Sequence, residues 1–144
     1  MIYEYSRINL KQTYYRQMPK DEFQVLTNWD YGELNDIFLK YCRYKKFSSF
    51  MPIFYEDLAN NTVLGYFNRG KIVAFSWIIE YPSQLSITAE QFAWDYADPK
   101  LRLGIRSLEN ECSYFKNQGY EYMYLHGADE YKKDFDGFEI LGPI

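Results

Sequence analysis

Histidine occurs once in the 144 residues, at His126, and cysteine only twice, at Cys42 and Cys112. A zinc-type ligand set needs more of both, so no metal is expected. The same scarcity leaves no arrangement of the Ser-His-Asp or Cys-His-Asn kind. Positive charge is in deficit as well: 16 Lys and Arg stand against 20 Asp and Glu, a formal charge of −4. That balance argues against a general nucleic-acid binder. No apolar run approaches the roughly 20 residues of a membrane-spanning helix, and Met1 to Lys11 lacks a basic stretch followed by an apolar one. A soluble, cytoplasmic protein with no membrane partner is the expectation. Repeats, low-complexity tracts, linkers and Walker or Rossmann glycine patterns are missing too, so residues 1–144 are expected to form a single domain large enough to bury a core.

What the chain does have is aromatic side chains, 16 Tyr and 11 Phe among them, and a clear order of patterns. A weak strand signal covers Ile2 to Ile8, and Phe23 to Leu26 reads as another strand. Asn28 or Asp30 can cap a helix over Gly32 to Tyr44, where Leu34, Ile37, Phe38, Tyr41 and Cys42 recur at helical spacing. Pro52 breaks the chain before a short helical stretch at Tyr55 to Ala59. Val63 to Phe67 and Lys71 to Glu80, joined through Asn68, Arg69 and Gly70, read as an antiparallel hairpin. Ile87 to Tyr96 makes a further strand between Pro82 and Pro99. Cys42 and Cys112 each fall on the apolar face of a helix, which favours two reduced, buried thiols over a disulfide.

The most informative stretch is Lys100 to Ser113, where a basic, glycine-containing loop runs into an amphipathic helix. Ile105, Leu108, Cys112 and Phe115 recur on one helix face, and Gly119 follows where a C-cap belongs, so one helix is expected from Leu103 to Gln118. A strand-loop-helix entry aims backbone N–H groups and the positive end of the helix dipole at one place, which suits a phosphate. Gly104, with the amides of Ile105, Arg106 and Ser107, lets such a group approach the backbone closely. Lys100, Arg102 and Arg106 would meet its charge. The strand Tyr120 to His126, a short helix near Glu130 to Lys133 and an extended end complete an α+β order, with helices packed on a mostly antiparallel sheet.

That order, with the loop at Leu101 to Ser107 opening the central helix, resembles the GNAT (Gcn5-related N-acetyltransferase) superfamily. The pyrophosphate motif of that superfamily is Arg or Gln, two residues, Gly, one residue, then Gly or Ala. Here Gly104 supplies the first glycine, Leu101 stands in the Arg or Gln place and Arg106 in the second small place. The last third of the chain, from Arg102 to Glu111, Asn117 to Leu125 and Glu130 to Leu141, also resembles the C-terminal half of the arginyl- and leucyl-tRNA-protein transferases, without their cysteine-bearing N-terminal domain. Both resemblances imply acyl transfer to an amine; they differ in the donor.

The GNAT resemblance implies acetyl-CoA as co-substrate and a primary amine, small molecule or protein, as acceptor. It implies donor contacts along Phe92, Ala93 and Trp94 and around Lys100, Arg102, Leu103, Gly104, Ile105, Arg106 and Ser107. Glu90 shares a strand face with Phe92 and Trp94 and is a candidate base; as a plain exposed glutamate it would have no role. Tyr131 sits where many GNAT enzymes place the tyrosine that protonates the leaving thiolate. His126, next to Gly127 at the end of its strand, is a second candidate base or a hydrogen-bonded structural residue. The transferase resemblance implies aminoacyl-tRNA as the donor, for which Arg43, Lys45 and Lys46 form the densest further basic cluster. A non-catalytic GNAT-fold binding module stays open as a third reading, and exposed aromatics are compatible with a homodimer.

Overall fold

The computed structural model describes residues 4–126 and 130–143, with the side chains of Glu4, Glu130, Tyr131 and Pro143 left out. Its strands are β1 (Glu4–Asn9), β2 (Phe23–Leu26), β3 (Thr62–Asn68), β4 (Lys71–Tyr81), β5 (Ser86–Trp94), β6 (Tyr122–Leu125) and β7 (Phe138–Pro143). The α-helices are α1 (Tyr31–Lys45), α2 (Tyr55–Ala59) and α3 (Leu103–Asn117), with 3-10 turns at Leu10–Gln12, Pro82–Gln84, Pro99–Leu101 and Glu130–Asp134. The strands form one seven-stranded sheet in the order β2-β3-β4-β5-β6-β1-β7. Its described ladders are antiparallel except for β5 with β6. This is an α+β fold.

The chain divides into two compact units, one made of Met1–Gln17, Ile79–Glu90 and Ile105–Ile144, the other of Met18–Ile78 and Gln91–Gly104. In the second unit α1 starts where the Asp30 carboxylate accepts the Glu33 N–H at 2.9 Å and ends at Lys46, whose φ of 58° turns the chain out of the helix. Asp30, not Asn28, is therefore the cap. Leu34, Ile37, Phe38 and Cys42 from α1 are buried with Ile53, Leu58, Val63, Phe75 and Ala93, and Tyr41 lies partly buried against them. The β3–β4 hairpin closes through Arg69 and Gly70, both at positive φ (54° and 79°), the backbone that a two-residue turn matched to strand twist requires.

The first unit is built on alternation. Ser6 and Ile8 of β1, Ile87 of β5, and Met123 and Leu125 of β6 are buried, while their neighbours Arg7, Asn9, Thr88, Tyr122 and Tyr124 are only partly so. Helix α3 buries more than one face: beside Leu108, Cys112 and Phe115 it buries Ser107, Asn110, Glu111 and Ser113. Gly119, at φ 95°, ends the helix one residue earlier than its spacing predicts. Other expected boundaries shift as well, with α1 running Tyr31–Lys45 and β5 opening at Ser86. Strand β5 stops at Trp94 because Tyr96 takes the left-handed conformation (φ 56°). Strand β6 begins at Tyr122, because the Glu121 N–H is turned to the Leu85 carbonyl at 2.7 Å. The helix near Glu130 is a 3-10 turn.

Gly137 ties β7 to β1. Its carbonyl accepts the Asn9 N–H at 2.8 Å, its φ is 74°, and a Cβ placed on it would lie 2.4 Å from the Asn9 carbonyl oxygen. Gly137→Ala combines left-handed strain with a backbone clash that no side-chain rotation relieves. We expect it to cost about 2 kcal/mol or more in urea unfolding. A midpoint equal to that of the parent chain would contradict this packing.

Candidate functional site

The paired stretch of β5 and β6 is short. Ser86, Ile87, Thr88 and Ala89 lie beside Tyr122, Met123, Tyr124 and Leu125 in parallel register. Beyond Ala89, β5 continues to Trp94, whereas β6 has already ended at Leu125. Because side chains alternate along a strand, Glu90 continues the face of Ser86 and Thr88, and His126 continues the face of Tyr122 and Tyr124. The structure brings these two residues together: His126 Nε2 lies 3.0 Å from Glu90 Oε2, with side chains 44% and 23% exposed. A partly covered carboxylate holding an imidazole, both reachable by solvent, can accept and pass on a proton.

The face leading to this pair is polar. In register with Tyr124 stands Arg7, and in register with Tyr122 stands Asn9. The Arg7 guanidinium donates to Glu139 at 2.7 Å and to the Tyr124 hydroxyl at 3.4 Å, and it lies 4.0 Å from the centre of the Tyr122 ring. The bond to Glu139 and, after it, the bond to Tyr124 hold its pKa above the ordinary value. A cavity of about 250 Å³ opens here, lined by Tyr5, Tyr81, Gln84, Ser86, Thr88 and Tyr124. Thr88 and Tyr124 are thus neighbours of Glu90 and His126 one step back along each strand.

At the start of α3 the chain makes a compact reversal. Asp98 Oδ1 accepts the Lys100 N–H at 3.2 Å, Pro99 opens a 3-10 turn, and Arg102 takes a left-handed φ of 49° before the helix begins at Leu103. A non-glycine residue held there costs energy, and such strain collects at functional loops. Lys100 and Arg102 are exposed, Gly104, Ile105 and Arg106 are partly buried, and Leu103 and Ser107 are buried. A Cβ added to Gly104 would meet nothing within 4 Å, so space lies open beside its backbone.

Phe92, Ala93 and Trp94 are bound into the second unit. The Phe92 ring lies 6.5 and 6.3 Å from those of Tyr41 and Tyr66, Ala93 is fully buried, and the Trp94 ring sits 4.1 Å from that of Tyr96. The Phe92 carbonyl accepts from Gln91 Nε2 at 2.6 Å. Tyr131 has its backbone in the 3-10 turn Glu130–Asp134, and its side chain, like Gly127, lies outside the described residues. Neither thiol joins the site. Both cysteines are free and buried, and burial pushes both thiols up in pKa. Among the described residues no group of three or more His, Cys, Asp or Glu is placed to hold a metal, and no helix is long and apolar enough to cross a membrane.

No protein-family model matches the sequence, and no curated protein matches it. Solved structures do. A GCN5-related N-acetyltransferase from Kribbella flavida superposes with a TM-score of 0.65 at 14% identity, covering 99% of this chain and 56% of that one. A putative GNAT-family acetyltransferase from Novosphingobium aromaticivorans gives 0.65 at 13% identity, covering 99% and 62%. The chain has the GNAT fold. L-PGS from Bacillus licheniformis matches at 0.66 and 16% identity over 89% of this chain and 48% of that one. The C-terminal domain of a putative lysylphosphatidylglycerol synthetase from Agrobacterium fabrum matches at 0.60 and 15%, over 89% and 47%. The chain therefore spans about half to three fifths of the length of these structures.

The sequence pattern pointed to Glu90 and His126 separately and missed their pairing, together with Arg7, Thr88 and Tyr124. A signal was present: Ser86, Thr88 and Glu90 alternate with Ile87 and Ala89, and Tyr122, Tyr124 and His126 with Met123 and Leu125. For the thiols we expect Cys112 to resist iodoacetamide in the folded protein at neutral pH, since a buried, protonated thiol is no nucleophile. Alkylation at the rate seen in denaturant would show that helix α3 is open around it.

Proposed function

We propose that this chain is a GNAT-fold N-acyltransferase that moves an acyl group, in the first instance acetyl, from acyl-CoA to a primary amine. The observation that carries the reading is the Glu90–His126 pair at the point where β5 and β6 stop pairing, on a GNAT fold whose α3 entry leaves open space at Gly104. The donor supplies an activated thioester. Glu90 Oε2 takes the proton of the attacking amine, directly or through water, and His126 Nε2 positions that carboxylate. The backbone of Phe92, Ala93 and Trp94 lines the donor's amide-rich arm. The amides from Leu103 to Ser107, with Lys100, Arg102 and Arg106, hold its phosphates. Tyr131 returns a proton to the leaving thiolate, a role open to a phenol hydroxyl.

A second reading is aminoacyl transfer with aminoacyl-tRNA as donor. It is favoured by the likeness to L-PGS and to the lysylphosphatidylglycerol synthetase domain, the latter named for placing an amino acid on a lipid. It uses the same pair of side chains and a different donor surface.

Calorimetry with acetyl-CoA, CoA and aminoacyl-tRNA separates the two readings. Acetyl-CoA is expected to bind, and Gly104→Val should weaken it at least tenfold, about 1.4 kcal/mol. Stability should change by less than about 1 kcal/mol, since the added side chain meets open space. A folded Gly104→Val protein with unchanged affinity, or a parent chain that binds only aminoacyl-tRNA, removes the acyl-CoA reading. For the chemistry, Glu90→Gln and Tyr131→Phe should each lower kcat by roughly 10²–10⁴-fold with donor affinity nearly intact. His126→Gln should cost less than Glu90→Gln. Turnover abolished by His126→Gln and untouched by Glu90→Gln would reverse the roles assigned to the pair.

A further inference from the structure

Exposed large hydrophobic side chains concentrate in one place in the second unit. Between α1 and α2, the residues Tyr44, Phe47, Phe50, Met51, Phe54 and Tyr55 are each between 46% and 80% exposed, Met51 most of all. The segment is held in this arrangement. The Phe47 N–H bonds to the Cys42 carbonyl at 3.2 Å, the Ile53 side chain is buried, and the Ile53 carbonyl accepts from the Tyr31 hydroxyl. The Phe54 N–H is bound by the Asp57 carboxylate at 2.9 Å. The bases of the exposed rings are also engaged, Phe50 edge-on against Phe38 at 5.6 Å and Tyr44 stacked on Tyr96 at 3.7 Å. An anchored stretch that still presents apolar tips to water is a contact surface rather than an accident of composition.

At the α1 end of this segment stand Arg43, Lys45 and Lys46, all exposed. Lys45 is partly committed, its ammonium about 6 Å from the ring centres of Tyr41 and Tyr96. No ion pair involves Arg43 or Lys46 among the described residues. The acids at the other end are Glu56, which is exposed, and Asp57, which caps Phe54. The nearest upstream acid on α1 with a described pair, Asp36, is held by Lys40 at 3.0 Å. The charge of the segment is therefore locally positive on a chain whose net charge is −4.

We propose that Arg43 to Tyr55 docks this protein onto the surface of an anionic phospholipid bilayer. The cations meet the headgroup phosphates, and Phe47, Phe50, Met51 and Phe54 enter the boundary between headgroups and acyl chains, with the phenols of Tyr44 and Tyr55 at headgroup level. Two features favour a lipid surface over the alternatives. Apart from Tyr44, which stands between Arg43 and Lys45, the cations precede the apolar tips along the segment, and four of the six tips, Phe47, Phe50, Met51 and Phe54, carry no strong hydrogen-bonding group. A single-stranded RNA platform instead interleaves rings with cations along a groove. A two-fold pairing with a second copy would bring two sets of the same three cations to one interface. The proposal concerns surface contact, so the lack of a membrane-spanning helix does not bear on it, and it stands apart from the identity of the acyl donor.

The test is co-sedimentation with phosphatidylcholine vesicles, with and without phosphatidylglycerol, at low and high salt. Sedimentation that requires phosphatidylglycerol and weakens with salt is expected. Arg43→Gln with Lys46→Gln should weaken partition roughly tenfold to thirtyfold, and Met51→Ser with Phe54→Ser at least tenfold. Circular dichroism and thermal midpoints should stay those of the parent chain, since these side chains point into water. Equal partition into both vesicles, none into either, or variants that bind like the parent would overturn the proposal. So would a folded parent chain that ignores vesicles while these substitutions abolish self-association or RNA binding.

Discussion

Four parallel pairs, Ser86 to Ala89 beside Tyr122 to Leu125, are the constraint on which the rest depends. Parallel strands need a long crossover, and here α3 supplies it. The pairing is short because β6 is short, so β5 carries five residues past the last pair. Where hydrogen bonding stops, the side-chain alternation persists for one more residue on each strand, and that places Glu90 against His126. A slip of one residue by either strand would send its own side chain, Glu90 or His126, to the buried face. The buried face cannot accept either, because Ile87, Met123 and Leu125 are packed there. Packing of apolar residues on one side thus fixes which side chains meet on the other.

Helix α3 answers to two demands. Its start leaves space open beside the backbone, and its body fills an interior. The entry is managed by Asp98, Pro99 and a left-handed Arg102, with Gly104 opening space at the first turn. Its body buries polar Ser107, Asn110, Glu111 and Ser113 along with Cys112. A helix buried on more than one face is constrained by every neighbour it touches, and in α3 that burial runs from Ser107 to Phe115. The high pKa of the Cys112 thiol follows from the same burial.

Much of the fold was legible in the sequence because local rules carried it. Strand β2, helix α2, the Arg69–Gly70 turn and the run of α3 follow from periodicity, turn chemistry and caps, each a property of neighbouring residues. Two of the boundaries that moved did so where further contacts intervened: Glu121 is drawn to Leu85, and Tyr96 turns left-handed where its ring meets Trp94 and Tyr44.

The sequence by itself determined the element order, the apolar faces, the two inert thiols and the basic entry to α3, because periods of two and 3.6 residues and glycine placement are written in adjacent residues. Only the tertiary structure decided that Glu90 and His126 meet, that Arg7 is held by Glu139, 132 positions away, and that aromatic side chains between α1 and α2 face outward rather than inward. Those facts rest on strand register and on which surfaces the rest of the chain covers. Both are set by packing between residues distant in sequence, and no local pattern records them.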